Sequence, residues 1–199
     1  MPAGANTADR LGGSGPVLVD NGAVTGYRDL IVRPARESDD AALLAIEKTA
    51  WDSNAGFPSL RNPAQARFFD DARLGVHIHH VAVVDGEPVG YVRLAPINPL
   101  PEVSHVLGVP GLAVAPHARR RGVAGALVDH VIVEAGRRGA HKLTLSVMST
   151  NPAAIRLYRT HGFRIEGRLL DQYYIDGRYV DSLLMAIRTR PPGGPAGSG

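Results

Sequence analysis

Apolar and polar positions over residues 30–187 follow two periods, which separate predicted strands from predicted helices. Short apolar or β-branched runs predict strands at 30–35, 76–84, 87–94, 103–114, 142–147, 164–174 and 178–187. A period of three to four residues predicts helices at 41–51, 63–73, 123–135 and 152–160. This order predicts an α/β sandwich, with a mixed and mostly antiparallel sheet of six or seven strands flanked by helices.

Local residues refine two of these elements. Asn151 followed by Pro152 predicts a helix N-terminus, because Asn caps the first free N–H groups and Pro suits the first helical position. Gly108 and Pro110 interrupt the apolar run at 103–114. They predict a bulge or a local splaying of that strand.

The two ends of the chain differ in composition from its middle. Residues 1–26 are rich in Gly, Ala and small polar residues and predict a flexible leader, in which Val17–Val19 could dock locally. Residues 189–199, TRPPGGPAGSG, lack the apolar side chains that a core needs and predict a disordered tail. One domain is therefore expected over residues 27–188, which is enough chain for one good-sized core.

Composition narrows the classes of partner and chemistry. The 199 residues carry a net charge of +3, an excess too small to indicate nucleic acid by itself. Cysteine is absent, which excludes disulfides, thiolate zinc sites and a cysteine nucleophile. No apolar run approaches the ~18 residues of a membrane span, and no secretion signal is recognisable. We therefore expect a cytoplasmic protein without a nucleic-acid or membrane partner.

The stretch at 111–127, GLAVAPHARRRGVAGAL, carries the candidate chemistry. An apolar strand, a basic loop and the start of an amphipathic helix follow one another here. The first N–H groups of a helix lack internal partners and carry partial positive charge, so they form an anion site. Gly122 and Gly125 leave room for a close ligand, and Arg119–Arg121 add charge suited to phosphate. A phosphorylated cofactor is predicted, although the triphosphate loop and the dinucleotide glycine spacing are both absent.

Two motifs, at 119–124 and 151–163, resemble those of the GNAT superfamily, the acetyl-CoA-dependent N-acetyltransferases. The first, R-x-x-G-x-A at 119–124, resembles the family's pyrophosphate pattern, which has Gln or Arg at the start and Gly or Ala at the end. The second, at 151–163, matches the full spacing of N-x-x-A-x-x-x-Y-x-x-x-G-F. The interval between them leaves room for one helix and one strand, and the resemblance extends over about 30–187.

The resemblance implies a way of holding the cofactor. The amides of 121–126 would hold the CoA pyrophosphate, and the backbone of Leu112 and Val114 would pair with the pantetheine arm. The strands that carry Val114 and Thr144 would splay to leave this edge free and hold CoA between them. The implied cofactor-binding residues are Leu112, Ala113, Val114, Arg119, Arg120, Arg121, Gly122, Val123, Ala124, Gly125, Ala126, Asn151, Ala154 and Tyr158.

The second motif carries the implied catalytic residue. Tyr158 would protonate the departing CoA thiolate, and Asn151 would contact the pantetheine arm. The implied function is direct transfer of acetyl from acetyl-CoA to a primary amine, on a small molecule or a protein N-terminus, through a ternary complex. The alternative is a non-catalytic acyl-CoA-binding or regulatory module on the same fold. The family also makes a homodimer an expectation.

The general base is open to three candidates: Glu102, His105 and water. The first two lie upstream of the basic loop, where family members often place a Glu. A metal site is not expected at His77, His79 and His80, because no carboxylate or cysteine is spaced to complete it.

The final predicted hairpin resembles that of members acetylating ribosomal protein N-termini, polyamines or small toxic amines. Asp171, Asp176 and Asp181 in this hairpin could attract a cationic acceptor or serve as turn and edge residues. Asp176 belongs to the turn, which favours the second interpretation for that residue.

Overall fold

The computed structural model describes residues 29–51, 56–57, 64–69 and 75–189. The predicted leader, residues 1–26 with Val17–Val19, lies outside the described residues. Residues 190–199 of the predicted tail also lie outside them. The strands are β1 Ile31–Pro34, β2 His79–Val84, β3 Glu87–Arg93, β4 Ala95–Pro96, β5 Val106–Gly108, β6 Leu112–Val114, β7 Lys142–Met148, β8 Arg164–Ile175 and β9 Arg178–Arg188. The helices are α1 Asp40–Ala50, α2 Val123–Arg137 and α3 Pro152–Thr160, and none of these is long and apolar enough to cross a lipid bilayer.

The strands form two sheets that separate between β6 and β7. The first sheet has the order β1-β2-β3-β6, and its pairs are antiparallel. The second has the order β4-β5-β7-β9-β8, with a parallel pair between β5 and β7 and antiparallel pairs elsewhere. This confirms the predicted mixed, mostly antiparallel architecture. The separation falls between the strands of Val114 and Thr144, the pair predicted to splay.

Helices α1 and α2 both pack against the strand pair β3–β6, and α2 also contacts β2. On α1, Leu43, Ile46 and Ala50 are buried at intervals of three to four residues, as the helical period predicts. Glu47 lies on the same buried face. A buried carboxylate is costly without partners, so this position indicates a specific set of contacts.

Residues 64–69 do not form the helix predicted over 63–73. Lys48 donates to the carbonyl of Gln65 at 2.9 Å, and the amide of Phe69 donates to Asp40 at 3.0 Å. Side chains of α1 therefore satisfy backbone groups that a helix would pair internally. For residues 64–69 the prediction was wrong because these contacts outweigh the local apolar period. Residues 63 and 70–73 lie outside the described residues.

Thr189 belongs to the folded domain and not to the predicted tail. Its amide donates to the carbonyl of His141 at 3.0 Å, its hydroxyl donates to the carbonyl of Ala140, and the residue is buried. The predicted boundary was therefore one residue too early, because the pairing at the end of β9 continues into Thr189.

Candidate active site

A cavity of about 780 Å³ opens where the two sheets separate, between β6 and β7. β6 pairs with β3 on one side and ends its sheet, so no described strand pairs with its other backbone edge. β7 pairs with β5 as far as Thr144, and Ser146–Met148 beyond that point line the opposite wall. A free strand edge offers N–H and C=O groups to an extended polar chain placed in the cavity.

The chain changes sheet between β5 and β6. The amide of Val109 donates to the carbonyl of Thr144 at 2.9 Å, which keeps this residue with the second sheet. The amide of Arg93 donates to the carbonyl of Gly111 at 2.9 Å, which places Gly111 with the first sheet. Pro110 lies between them and has no N–H to pair with either ladder. The interruption predicted at Gly108 and Pro110 is therefore a local splaying, in which β5 and β6 separate at the proline.

The loop that joins β6 to α2 has a backbone suited to an anion. Arg120 and Gly122 have φ angles of 59° and 85°, in the left-handed region, where successive amides can form a concave anion site. For a non-glycine residue such a conformation costs about 1–3 kcal/mol, and such strain clusters at ligand sites. Gly122 is the N-cap of α2 and has no side chain to accept from the first helical N–H groups. Donors at the start of a helix suit an anionic ligand.

The arginines of this loop differ in their surroundings. Arg119 donates from Nε to the carbonyl of Val114 at 3.3 Å and from Nη2 to the carbonyl of Ala50 at 2.6 Å. It therefore ties the end of β6 to the last turn of α1, where a cation suits the negative helix end. Arg119 and Arg120 line the cavity, whereas Arg121 is exposed outside its lining.

Gly125 has a packing role that the sequence interpretation did not include. A Cβ at this position would lie 3.2 Å from Nε2 of His161, just after α3. The His161 ring is itself held by Asp129, 2.6 Å from Nδ1. The missing side chain at Gly125 is thus explained by the close approach of His161 to α2, whereas the sequence interpretation had assigned that room to a ligand.

The second motif forms the first turn and one face of α3. Oδ1 of Asn151 accepts from the amide of Ala154 at 3.0 Å, which confirms the predicted N-cap. Asn151, Ala154 and Tyr158 all line the cavity. Their spacing of three and four residues places them on one side of the helix.

Tyr158 is buried in the cavity wall, with its ring centroid 5.6 Å from that of Phe163. Burial raises the pKa of Tyr158 to about 12, because the charged phenolate is poorly solvated there. The phenol is therefore protonated at neutral pH and can donate a hydrogen bond to a group bound in the cavity.

The predicted cofactor residues divide into two groups. Those that line the cavity are Leu112, Ala113, Val114, Arg119, Arg120, Ala124, Asn151, Ala154 and Tyr158. Those in the loop and the first turn of α2 outside the lining are Arg121, Gly122, Val123, Gly125 and Ala126. The side chains of Val123 and Ala126 are buried in the core, so a ligand could reach these residues only through their amides.

A buried carboxylate behind the cavity wall was not singled out from the sequence. Glu47 accepts from the phenol of Tyr91, from Nε1 of Trp51 at 2.9 Å, and from Nη2 of Arg93 at 3.3 Å. The Glu47 side chain is 6% exposed and does not line the cavity, whereas Trp51 and Arg93 do. The available signal was a charged residue on the apolar face of a predicted helix.

The guanidinium of Arg93 is also fixed by a histidine. Its Nε donates to Nε2 of His79 at 2.9 Å, and Nδ1 of His79 lies 3.0 Å from the carbonyl of Gly75. Burial lowers the pKa of His79 to about 4, so the ring is neutral at pH 7. The tautomer with its proton on Nδ1 satisfies both contacts, since Nε2 then accepts from Arg93.

Neither predicted protein base lines the cavity. Glu102 is exposed in a 3-10 turn, and His105 is exposed with its ring 6.5 Å from that of His141. The neighbouring histidines of β2 have separate contacts: Nδ1 of His80 lies 2.8 Å from Nε2 of His130, away from the Arg93 contact of His79.

The acidic residues of the β8–β9 hairpin lie outside the cavity lining as well. Asp181 accepts from the amide of Asp171 at 2.8 Å and from Nε of Arg168 at 2.6 Å. These two donors hold the pKa of Asp181 below its ordinary value. Asp176 occupies the turn with a φ of 49°. The contacts favour the turn and edge interpretation of all three.

Comparisons with known proteins agree on one family. The Acetyltransferase (GNAT) family matches residues 41–163. The chain is 34% identical over 107 residues to the L-amino acid N-acetyltransferase AaaT of Escherichia coli (strain K12), covering 53% of this chain and 65% of the relative. It is 41% identical over 78 residues to the ribosomal protein bS18-alanine N-acetyltransferase of the same strain, covering 38% of this chain and 51% of the relative. The chain therefore spans about half to two thirds of the length of these curated relatives.

The fold is shared with solved structures of this group. The crystal structure of the ribosomal-protein-alanine N-acetyltransferase from Brucella melitensis is 28% identical, with a TM-score of 0.61, and covers 79% of this chain and 98% of its own. The family match includes more than half of the chain and both motifs that resemble the family's signatures. This chain therefore belongs to the Acetyltransferase (GNAT) family.

Proposed function

We propose that the protein transfers an acetyl group from acetyl-CoA to a primary amine. The observation that carries the proposal is the edge of β6 that no described strand pairs with, which leads from the loop before α2 along a cavity that Tyr158 also lines. Acetyl-CoA supplies an activated thioester on an extended amide-containing arm that ends in a pyrophosphate. An extended arm suits a strand edge, and a pyrophosphate suits a helix N-terminus.

The residues present fit this co-substrate. The free amides at the start of α2 bind the pyrophosphate, helped by the charge of Arg120. The backbone of Leu112 and Val114 pairs with the pantetheine amides. Asn151 uses Oδ1 for the helix cap, so its Nδ2 protons can be donated to the same arm.

Tyr158 offers a hydrogen-bond donor to the departing sulfur. A phenol with a pKa of about 12 is a weaker acid than an ordinary thiol at about 8.5, so complete transfer of its proton alone is uphill. The phenol therefore stabilises the developing thiolate by a hydrogen bond, and the proton lost by the amine balances the charge. Most of the acceleration comes from holding the amine and the thioester in attack geometry.

The amine's proton leaves through water in this proposal. Within the described residues, the cavity lining contains no Asp or Glu side chain. Glu47 is close behind the wall, but its oxygens already accept from three donors. Water was one of the three candidates from the sequence, and the positions of Glu102 and His105 support it over the other two.

Two measurements test the proposal. Calorimetry should show that CoA binds while NAD and ATP bind weakly, and acetyl-CoA should release free thiol when a primary amine is added. Tighter binding of ATP than of CoA would contradict the cofactor assignment. Binding of CoA without thiol release for any amine would favour the alternative, a non-catalytic acyl-CoA-binding module.

We also propose that the protein forms a homodimer and is located in the cytoplasm. A homodimer is tested by sedimentation over a range of protein concentrations. A cytoplasmic location, where acetyl-CoA is available, is tested by fractionation of cells that express the full chain.

A further inference from the structure

Arg93 lies at the opposite end of β6 from the anion-binding loop. Its amide pairs with Gly111, just before β6, whereas Arg119 contacts Val114 at the end of the strand. At about 3.3 Å per residue these two points are roughly 10 Å apart along the edge. If the pyrophosphate is held by the loop, the arm runs along β6 toward Gly111. The acyl end of the co-substrate then faces the Arg93 side of the cavity.

The guanidinium of Arg93 is held rigidly by its surroundings. His79 accepts from Nε at 2.9 Å, and Glu47 accepts from Nη2 at 3.3 Å. The rings of Phe68 and Tyr91 lie against it, with centroids 5.4 Å and 5.0 Å from Cζ. The side chain is 12% exposed. A guanidinium fixed in this way loses little conformational entropy when it binds a ligand.

One nitrogen of this guanidinium has no hydrogen-bond partner among the described residues, namely Nη1. It lies 3.1 Å from the position that a Cβ of Gly111 would occupy. The missing side chain at Gly111 therefore gives Nη1 its space beside the cavity, which both residues line. A cationic donor without a partner, at the edge of a largely apolar cavity, is suited to an anionic acceptor group.

The charges around the cavity also favour an acceptor with an anionic group. Its described lining includes Arg93, Arg119 and Arg120 and contains no Asp or Glu side chain. Glu47 neutralises part of the Arg93 charge from behind, but its carboxylate does not face the cavity. A polycationic amine would meet cations here without a counter-charge from these residues. An amine that carries its own carboxylate would be matched.

We infer that Nη1 of Arg93 binds the carboxylate of the acceptor, and that the acceptor is an α-amino acid. The inference rests on the proposed function, because it places the acceptor at the acyl end of β6. In an α-amino acid the amine and the carboxylate share one carbon. Anchoring the carboxylate on Arg93 therefore holds the amine near the acyl end of the co-substrate. Glu47 and His79 act as positioning residues, since they orient the guanidinium without touching the acceptor.

The first experiment uses the wild-type protein and matched pairs of acceptors. Each of the twenty common L-amino acids is compared with its amide and its decarboxylated amine, using acetyl-CoA and detection of free thiol. A lost charge-assisted hydrogen bond of this kind weakens binding about 10–100-fold. The best amino acid should therefore exceed its amide by that factor in kcat/KM. This difference should arise from a lower KM for the amino acid and not from kcat. An amide, polyamine or N-terminal alanine peptide that matches or exceeds every amino acid would overturn the inference.

The second experiment uses Arg93→Gln, with Arg120→Gln as the matched control. Arg93→Gln should reduce the preference for carboxylate over amide to about one, because kcat/KM for the amino acid should fall about 10–100-fold more than kcat/KM for its amide. Arg120→Gln should weaken CoA binding and keep the preference. Equal losses for both acceptors in Arg93→Gln would show a purely structural role and overturn the inference.

The two proposals fail in different ways. If CoA binds and amines are acetylated without a carboxylate preference, the proposed function survives and the Arg93 assignment is wrong. If no amine is acetylated, both are wrong.

Discussion

The two ends of the cavity are built from different kinds of chain. The loop end, Arg119–Ala126, is one contiguous segment whose proposed binding groups are backbone amides. The Arg93 end consists of side chains from three separated segments: Glu47 and Trp51 from α1 and its C-cap, His79 from β2, and Tyr91 and Arg93 from β3.

This difference bears on which end of the cavity binds the co-substrate common to a family and which end selects the acceptor of one member. Backbone amides tolerate changes in side chains, so an anion site made of them needs only glycine at a few positions and a helix behind it. A side-chain site depends on every residue in its contact network. We therefore expect the loop end to determine the co-substrate and the Arg93 end to determine the acceptor.

The largest expected effect is at the loop end, in Gly122→Glu. A carboxylate there would occupy the amide site and repel the pyrophosphate. Losing two or three charge-assisted hydrogen bonds of about 1.5–3 kcal/mol each weakens CoA binding at least about 10²-fold, measured by calorimetry.

Gly122→Ala is the control for backbone strain. Its positive φ of 85° disfavours any side chain, so the melting temperature should fall with a loss of about 1 kcal/mol in folding free energy. CoA affinity should fall less than tenfold. Equal loss of CoA binding in both variants would show that the backbone conformation matters and that the charge does not.

The second effect is expected at the α3 wall of the cavity, in Tyr158→Phe. Removing a positioned acid commonly lowers turnover by about 10²–10⁴. The ring is retained, so packing and the KM for acetyl-CoA should remain near wild type. Tyr174→Phe, at an exposed position outside the cavity lining, is the control and should keep full turnover. Full activity of Tyr158→Phe would reduce this residue to packing.

The third effect is confined to the Arg93 end. Glu47→Ala leaves the buried Arg93 without its carboxylate, and breaking such a pair costs about 3–5 kcal/mol. The melting temperature should fall by roughly 10 °C in a domain of this size. Glu47→Gln keeps an oxygen that can accept from Tyr91, so its melting temperature should fall less than that of Glu47→Ala. CoA affinity of the folded protein should remain near wild type in both, and a large drop would show that the two ends are not independent.

The smallest expected effect is the pH dependence of the Arg93 end. Burial holds the pKa of His79 at about 4, below its ordinary value of about 6.5, and the nearby Arg93 and His77 act in the same direction. The unfolded chain therefore binds more protons between these values, so this stability is present above pH 6.5 and is lost as pH falls toward 4. At about pH 5 the loss is roughly 2 kcal/mol.

Thermal unfolding at about pH 7 and pH 5 measures this term. In His79→Gln the decrease in melting temperature from pH 7 to pH 5 should be smaller than in the wild type, because an amide can accept from Arg93 without titrating. His80 is buried on a separate contact with His130, and Arg138 and Glu134 face the same pair. Its contribution should be the same in both proteins. An identical fall in both would assign the acid sensitivity to other groups.

Prediction from the sequence succeeded where the determining contacts are local. The cap at Asn151 and the loop at 119–124 depend on neighbours within a few residues, and the confirmed family match contains both. It failed at 64–69, where the apolar period indicates a helix but backbone groups of Gln65 and Phe69 instead pair with side chains of α1. It also missed Glu47 and Arg93, because neither belongs to a contiguous motif.

The sequence by itself determined the family, the helices α1, α2 and α3 and the position of the amide-rich loop, because these follow from periodicity, caps and adjacent residues. Only the tertiary structure decided which side chains meet at the other end of the cavity. The register of β2 on β3 pairs His79 with Arg93, and a slip of one residue would turn Arg93 to the opposite face of the sheet. Such a register depends on the packing of the whole core, so contacts between residues as distant as Glu47 and Arg93 cannot be inferred from their local sequences.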